Sequence, residues 1–192
     1  MSKTIKRILI ILCGGVLLFS AYHFSKWGFL QSLKYSSLKH NGKAAAALEK
    51  HVKFLAKDLP AASKNKIDLL DRASGYIKKE LEACGYKPEL QNYSINGQTF
   101  SNVTAFKQGK IAETLVIGAH YDTYCNPGAD DNSSGVALLL EVAKAAKKMT
   151  DGYSVIFVAF TNEEPPNFKT ENMGSYVFAK LQILRAPLFL NP

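Results

Sequence analysis

The order of apolar and polar positions along the chain predicts a series of helices and strands that begins near residue 43. In three stretches apolar residues recur every three or four positions, the spacing of one buried helical face, and a fourth stretch near the C-terminus is also expected to be helical. Other short runs alternate or are wholly apolar, as in strands with one or both faces buried. The predicted helices cover 43–57, 67–84, 135–149 and 175–184, and the predicted strands cover 87–95, 102–107, 114–119 and 154–160.

Two features of this order predict the fold class. Asn96-Gly97 separates the first two strands and is a hairpin signal, so these strands should pair antiparallel. The third strand, the helix over 135–149 and the fourth strand form a strand–helix–strand unit, which predicts a parallel crossover. Both strands of that unit are wholly apolar and should be buried. We therefore expect one α/β domain over residues 43–192 with three layers, namely a mixed, mostly parallel sheet with helices on both faces.

The N-terminus carries an apolar run from Ile8 to Phe24 that follows Lys3, Lys6 and Arg7. Its 17 residues are close to the short limit of about 20 for a membrane-spanning helix. A basic start before an apolar stretch is also typical of a secretory signal. We expect residues 1–25 to be a signal anchor or a cleaved signal peptide, and residues 26–42 to be a linker. The basic prefix predicts an exported protein, either membrane-anchored or free in the periplasm or extracellular space.

The net charge of +8 is located in the N-terminal third. Residues 1–66 hold 12 Lys and Arg against 2 Asp and Glu, whereas residues 67–192 hold 12 against 14. A basic segment beside an apolar run favours contact with a membrane surface and argues against a nucleic-acid partner. The three cysteines, Cys13, Cys84 and Cys125, are widely spaced and should be free or buried thiols, with a Cys84–Cys125 bridge left open.

Polar side chains follow the third and fourth predicted strands, at the sheet edge where α/β proteins bind ligands. His120 and Asp122 follow the third strand. A histidine is a good zinc ligand, and a carboxylate two residues on can hold its other ring nitrogen. Glu163 and Glu164 follow the fourth strand. One of these carboxylates can bind a metal while the other acts as a base beside it, as metal-assisted hydrolysis requires.

A third cluster, Asp130-Asp131, lies in a glycine-flanked loop before the third helix. Adjacent carboxylates in a tight turn repel each other unless a cation neutralises them. Each cluster alone has an ordinary explanation: His120 could be a structural histidine, and the loop could be a solvated turn or a helix N-cap. Three such clusters at successive strand ends favour a metal site over coincidence.

These motifs resemble a known family. His-Tyr-Asp at 120–122, Gly-Ala-Asp-Asp-Asn-Ser-Ser-Gly at 128–135, Asn-Glu-Glu-Pro-Pro at 162–166 and Met-Gly-Ser at 173–175 are similar to those of the co-catalytic di-zinc aminopeptidases. That family includes secreted leucyl aminopeptidases, glutamate carboxypeptidase and glutaminyl cyclases. A related di-zinc carboxypeptidase and deacylase group usually places its first Asp ligand some thirty residues beyond the His. Here the loop follows within about ten, which favours the aminopeptidase type.

The resemblance implies a role for each site residue. It implies that His120 ligates one zinc, that Asp130 bridges two, and that Glu164 ligates the other. It implies Glu163 as general base and Asp122 as the residue that orients His120. It also implies a cis peptide after the bridging Asp, which would be Asp130–Asp131. The implied reaction is removal of an N-terminal residue from a peptide, or hydrolysis of a related amide.

The chain departs from the family after Lys180, where the sequence stops resembling it. The complete family site needs two further ligands, an acidic residue and a histidine, but the chain has no His after His120 and no Asp or Glu after Glu171. We therefore expect a C-terminally truncated, incomplete domain that is a poor hydrolase as it stands. The alternative function is an inactive remnant or a membrane-tethered binding module of the same fold.

Overall fold

The computed structural model describes residues 42–59 and 66–189. The predicted N-terminal segment 1–25 and the predicted linker, except its last residue, lie outside these residues. Among the helices of the described ranges, none is both long and apolar enough to cross a membrane.

The predicted order of helices and strands is confirmed. The first helix, α1 (Gly42–Val52), continues into a wider π-type turn over Lys53–Asp58. Gly85 has a φ of +82°, so the chain leaves the second helix, α2 (Ile67–Ala83), through a left-handed residue, as glycine favours. Asn96 and Gly97 both have positive φ and form the hairpin turn. The elements are α1 (Gly42–Val52), α2 (Ile67–Ala83), β1 (Glu89–Ile95), β2 (Gln98–Lys107), β3 (Ile111–His120), α3 (Gly135–Lys147), β4 (Tyr153–Phe160) and α4 (Gly174–Phe189).

The four strands form one mixed sheet in the order β1-β2-β4-β3. β3 and β4 pair parallel, with His120 opposite Phe160, as the crossover through α3 predicts. The pairs β1–β2 and β2–β4 are antiparallel. The mixed sheet is therefore confirmed, but among the described strands it is not mostly parallel, because only the strand–helix–strand unit contributes a parallel pair.

Helices cover both faces of this sheet. The main core lies on one face, where side chains of α2 and α3, including Ile77, Leu81 and Leu139, pack around Phe157. Phe160 is three residues beyond Phe157, so the alternation of a strand places it on the opposite face. There it packs edge-on against Phe178 of α4, with ring centroids 5.8 Å apart. The three-layer arrangement is thus present.

The strand predicted over 114–119 is less buried than its composition suggests. β3 is at the edge of the sheet among the described strands, and Leu115 and Val116 are 46% and 51% exposed. An apolar run predicts a strand that can be buried, but it does not predict how many strands pair with it. β4, with an equally apolar sequence, lies between two strands, and Phe157, Val158 and Ala159 are wholly buried.

Candidate metal centre

The parallel pairing of β3 and β4 brings two of the three polar clusters together. His120 is the last residue of β3, and Glu163 and Glu164 follow β4 by three and four residues. Because both strands run in the same direction, their carboxyl ends lie at the same edge of the sheet. The backbone N–H of Tyr121 donates to the carbonyl of Phe160 at 2.9 Å and keeps the two chain segments together just beyond the strands.

Three side chains at this edge form a group that could hold a metal ion. His120, Asp131 and Glu164 each offer one donor atom, and these atoms lie within 4.8 Å of one another. His120 Nε2 lies 3.0 Å from Asp131 Oδ1. One nitrogen and two carboxylate oxygens are a donor set that zinc accepts, at about 2.0–2.2 Å from each atom. Among the described residues, this is the one such group of three or more.

The second ring nitrogen of His120 contacts Asp122. Nδ1 lies 3.1 Å from the backbone carbonyl of Asp122 and 3.5 Å from its carboxylate. Nδ1 can donate to that carbonyl. Nε2 donates to the Asp131 carboxylate when it is protonated, and it offers its lone pair to a cation when it is not. Burial by itself lowers the pKa of His120, but the hydrogen bond and charge of Asp122, together with Asp131, outweigh it and raise that pKa to about 9.

Asp122 is also the support of the Glu163-Glu164 pair. Its side chain is buried, and its carboxylate accepts the backbone N–H of Glu163 at Oδ1 (3.2 Å) and of Glu164 at Oδ2 (3.0 Å). Hydrogen bonds to a charged acceptor are stronger than neutral ones, and both oxygens of this buried carboxylate are satisfied. One carboxylate therefore contacts His120 and fixes the main chain of both glutamates.

The loop between β3 and α3 places Asp131, not Asp130, beside His120. The turn over Ala129–Ser134 begins after Gly128, whose φ is +71°. Asp131 departs from the helical backbone of this turn (φ −115°, ψ 93°), and its carboxylate is the one of the pair that lies beside His120. Asp130 is exposed and outside the group. The cis peptide is likewise one residue further on, at Asp131–Asn132.

Hydrogen bonds and a packing contact hold this loop in place. Asn132 Oδ1 accepts the N–H of Gly135 at 3.1 Å, at the start of α3, where the first backbone donors have no partner within the helix. The backbone N–H of Ser133 donates to the carbonyl of Gly128 at 2.9 Å and closes the turn. The turn over Lys53–Asp58 also contacts this loop. The loop is therefore packed on one side while Asp131 remains exposed.

The two glutamates have different surroundings. Glu163 accepts two hydrogen bonds from Ser175 at the start of α4, one from its N–H (2.6 Å) and one from its hydroxyl (2.9 Å). Burial raises the pKa of Glu163, and the bonds from Ser175 oppose this. Burial, followed by the nearby charge of Asp131, raises the pKa of Glu164. A cation between Asp131 and Glu164 would relieve that like-charge repulsion.

Of the site residues predicted from sequence, four lie in or directly beside this group: His120, Asp122, Glu163 and Glu164. Their ligation and proton-transfer roles stay predictions. Sequence reasoning missed Asp131 as the facing carboxylate and Ser175 as the partner of Glu163. The Met-Gly-Ser motif at 173–175 was the sequence feature that could have pointed to Ser175. Cys84 and Cys125 are free thiols.

Comparison with known proteins adds relatives. Residues 102–191 match the family model described as peptidase family M28. The chain is 38% identical over 141 residues to the uncharacterized protein YfbL of Escherichia coli, covering 69% of this chain and 44% of that protein. It is 30% identical over 142 residues to aminopeptidase YwaD of Bacillus subtilis, covering 69% of this chain and 31% of that protein. The chain thus spans less than half the length of these curated relatives.

Solved structures share the fold. Glutaminyl cyclase from Porphyromonas gingivalis has a TM-score of 0.60 at 22% identity, over 71% of this chain and 52% of that one. BSAP, a zinc aminopeptidase from Bacillus subtilis, has a TM-score of 0.55 at 12% identity, over 63% and 62%. At these identities the likeness concerns the fold. It agrees with the mixed sheet and flanking helices described above.

Proposed function

We propose that this chain uses zinc to hydrolyse peptide or amide bonds, with release of an N-terminal residue as the preferred reaction, because residues 102–191 match the model of peptidase family M28. The observation that carries the proposal is the grouping of His120, Asp131 and Glu164 with Glu163 adjacent in sequence. The aminopeptidase relative and the zinc aminopeptidase with the same fold support it.

The donor chemistry fits zinc. Catalytic zinc sites commonly have three protein ligands and an open position, and His120, Asp131 and Glu164 supply three. When bound there, zinc would lower the pKa of a water and polarise the scissile carbonyl. We assign the second carboxylate to Asp131 in place of Asp130, because Asp131 lies beside His120. The second zinc implied by the resemblance is part of the proposal for the complete family site.

Glu163 is the proposed general base. In hydrolysis, water adds its oxygen to the carbonyl carbon while Glu163 accepts one of its protons, and Glu163 then gives that proton to the leaving nitrogen as the C–N bond breaks. Ser175 occupies one lone pair on each carboxylate oxygen, and a carboxylate oxygen has a second available. Half-burial raises the pKa of Glu163, which makes it a stronger base for this step.

Asp122 is proposed to hold the site rather than to react. Its carboxylate is engaged by the backbone of both glutamates and its carbonyl by the His120 ring. The location outside the cytoplasm is also a proposal, supported by the basic and apolar N-terminal sequence. We therefore propose an exported peptidase that residues 1–25 hold at a membrane.

The proposal is tested by turnover. The full chain is stripped of metal, reloaded with zinc and assayed against a panel of aminoacyl amides with a free amino group and the same amides with that group acetylated. We expect slow but zinc-dependent release from the free-amino series. Glu163→Gln should lower kcat by about 10²–10⁴-fold and keep zinc affinity, since a base is removed but no ligand. Glu171→Gln, in an exposed loop position, is the matched control.

Two outcomes would contradict the proposal. Equal turnover before and after zinc removal would exclude zinc chemistry at this site. Near-normal kcat in Glu163→Gln would remove Glu163 from the role of base. Zinc binding without turnover on any substrate of the panel would favour the alternative, a binding module that keeps the fold and the cluster without the reaction.

A further inference from the structure

A closed ring of hydrogen bonds joins the two ends of the segment that carries Glu163. Asn102 on β2 is wholly buried. Its Oδ1 accepts the N–H of Thr161 at 3.1 Å, and its Nδ2 donates to the carbonyl of Gly174 at 2.8 Å. The N–H of Gly174 donates to the carbonyl of Thr161 at 2.9 Å and closes the ring. Nδ2 also donates to Gln91 Oε1 at 2.8 Å, so the whole amide is satisfied.

The ring requires a glycine at 174. A Cβ there would overlap both Asn102 Oδ1 and the carbonyl of Thr161. The absence of a side chain thus lets the start of α4 approach the end of β4 closely. The result is a fixed distance between residues 161 and 174, although twelve residues separate them along the chain.

A second contact reinforces this closure from β1. The hydroxyl of Tyr93 lies 3.4 Å from the carbonyl of Thr161 and 3.3 Å from that of Asn172. It also accepts a hydrogen bond from Asn162 Nδ2 at 3.1 Å. The first two strands of the chain therefore hold both ends of the segment over 161–174, each through one polar side chain directed into it.

The residues just beyond the ring are Glu163 and Ser175. Because Gly174 is fixed against Thr161, the N–H and hydroxyl of Ser175 meet the two oxygens of the Glu163 carboxylate. A glutamate side chain has three rotatable bonds, and two donors from one residue restrict it to one orientation. We call His120, Asp131 and Glu164 the metal group. Glu163 is bonded to Ser175 and lies outside this group, whereas the adjacent Glu164 belongs to it.

We propose that Ser175 and Asn102 are positioning residues for Glu163. Ser175 holds the carboxylate beside the metal group, directed away from ligation, and Asn102 holds Ser175 in place through Gly174. This inference rests on the proposed function for its catalytic consequence. The contact itself is independent of that function and is measured separately below.

The first experiment is kinetic and uses the zinc-loaded full chain. Ser175→Ala should lower kcat about tenfold and leave KM within roughly twofold, because the base loses orientation while substrate binding is unchanged. Ser175→Thr keeps a hydroxyl and should recover most of the lost kcat. Ser74→Ala, which removes a hydroxyl that donates to the carbonyl of Asp71 on α2, is the control and should keep wild-type kcat. Unchanged kcat in Ser175→Ala would overturn the proposal.

The second experiment needs no activity. In nuclear magnetic resonance spectra of the metal-free full chain, the amide proton of Ser175 should lie downfield, because it is donated to a carboxylate at short distance. Glu163→Gln should move it upfield, whereas Glu171→Gln should not. Asn102→Asp, which removes both Nδ2 donors, should also shift it. No response to Glu163→Gln would overturn the proposal even in an active chain, whereas a response in a chain without turnover would support the contact while the proposed function fails.

Discussion

The two acidic pairs of this chain, Asp130-Asp131 and Glu163-Glu164, look alike in sequence but have different structural surroundings. Both members of the glutamate pair face inward: Glu164 joins the metal group, and Glu163 is held by Ser175. In the aspartate pair, Asp131 belongs to the metal group, whereas Asp130 is exposed and lies outside it. The backbone carbonyl of Asp130 accepts a hydrogen bond from the hydroxyl of Ser134 at 2.7 Å.

The difference comes from what holds the backbone of each pair. The N–H groups of both glutamates donate to the buried carboxylate of Asp122, so the main chain is fixed from inside. The aspartate loop is closed by contacts within itself and with the start of α3, and the carboxylate of Asp131 is left exposed on an extended residue. Both side chains of a pair thus face inward where a buried acceptor supports the backbone, and one of the two does so where it does not.

The largest expected effect separates the two aspartates. Asp131→Asn should weaken zinc binding by about 100-fold, because an amide oxygen replaces a charged ligand that a zinc site needs. Asp130→Asn should bind zinc like the wild type, since its carboxylate is outside the group. Competition with a chelating indicator measures both constants. Equal losses in the two variants would contradict the distinction drawn between these neighbours.

The next effect concerns the support of the glutamate pair. Asp122→Asn places an amide donor against a backbone donor, so the unfolding free energy of the metal-free chain should fall by about 1–3 kcal/mol. Zinc affinity should fall by about 10–100-fold because His120 and Glu164 both lose support. Denaturant titration and zinc competition provide the two readings. Asp71→Asn, at an exposed position on α2, is the control, and an Asp122→Asn protein as stable as that control would show that the carboxylate is not a support.

A smaller effect tests the closure around the glutamate segment. Gly174→Ala should lower the unfolding free energy by about 1–3 kcal/mol, since the added methyl overlaps Asn102 and Thr161. Gly75→Ala, where nothing lies within 4 Å of the new methyl in the middle of α2, should instead stabilise by about 0.5–1 kcal/mol. Thermal unfolding of the two variants, measured in parallel, shows whether each substitution raises or lowers the stability. A neutral Gly174→Ala would mean that the ring is looser than the structure shows.

The smallest effect is on the aspartate side. Ser134→Ala removes the hydroxyl that donates to the Asp130 carbonyl at an exposed position. Its unfolding free energy should stay within about 0.5 kcal/mol of the wild type, as for other surface changes. Zinc affinity should be unchanged, because Asp131 keeps its own backbone conformation. A marked loss of zinc affinity in this variant would show that Asp130 takes part in holding the site.

The sequence predicts the elements and their order because periodicity follows local backbone geometry. The hairpin at Asn96-Gly97 and the stop at Gly85 follow from residues that tolerate positive φ. The neighbours of each strand are not predicted in this way. The apolar runs of β3 and β4 are equivalent in sequence, yet one lies at the edge of the described sheet and the other inside it. Burial of a strand depends on contacts that are distant in sequence.

The sequence places Asp130 at the candidate site, whereas in the structure Asp131 lies beside His120. His120, Glu163 and Glu164 follow apolar strands, and their place at the sheet edge results from the parallel pairing. The choice between Asp130 and Asp131 depends on loop dihedral angles that residue types alone do not set. The structural role of Asn102 was also not predicted from sequence. A polar residue in an alternating strand is expected to be exposed, whereas the amide of Asn102 is buried in a closed ring of hydrogen bonds.

The most direct test of the metal centre is anomalous diffraction at the zinc edge from crystals of the zinc-soaked full chain. We predict a peak about 2.0–2.2 Å from His120 Nε2, an Asp131 carboxylate oxygen and a Glu164 carboxylate oxygen, with Glu163 still bonded to Ser175. A peak coordinated by Asp130 with Asp131 turned away, or no peak at the carboxyl ends of β3 and β4, would contradict the account.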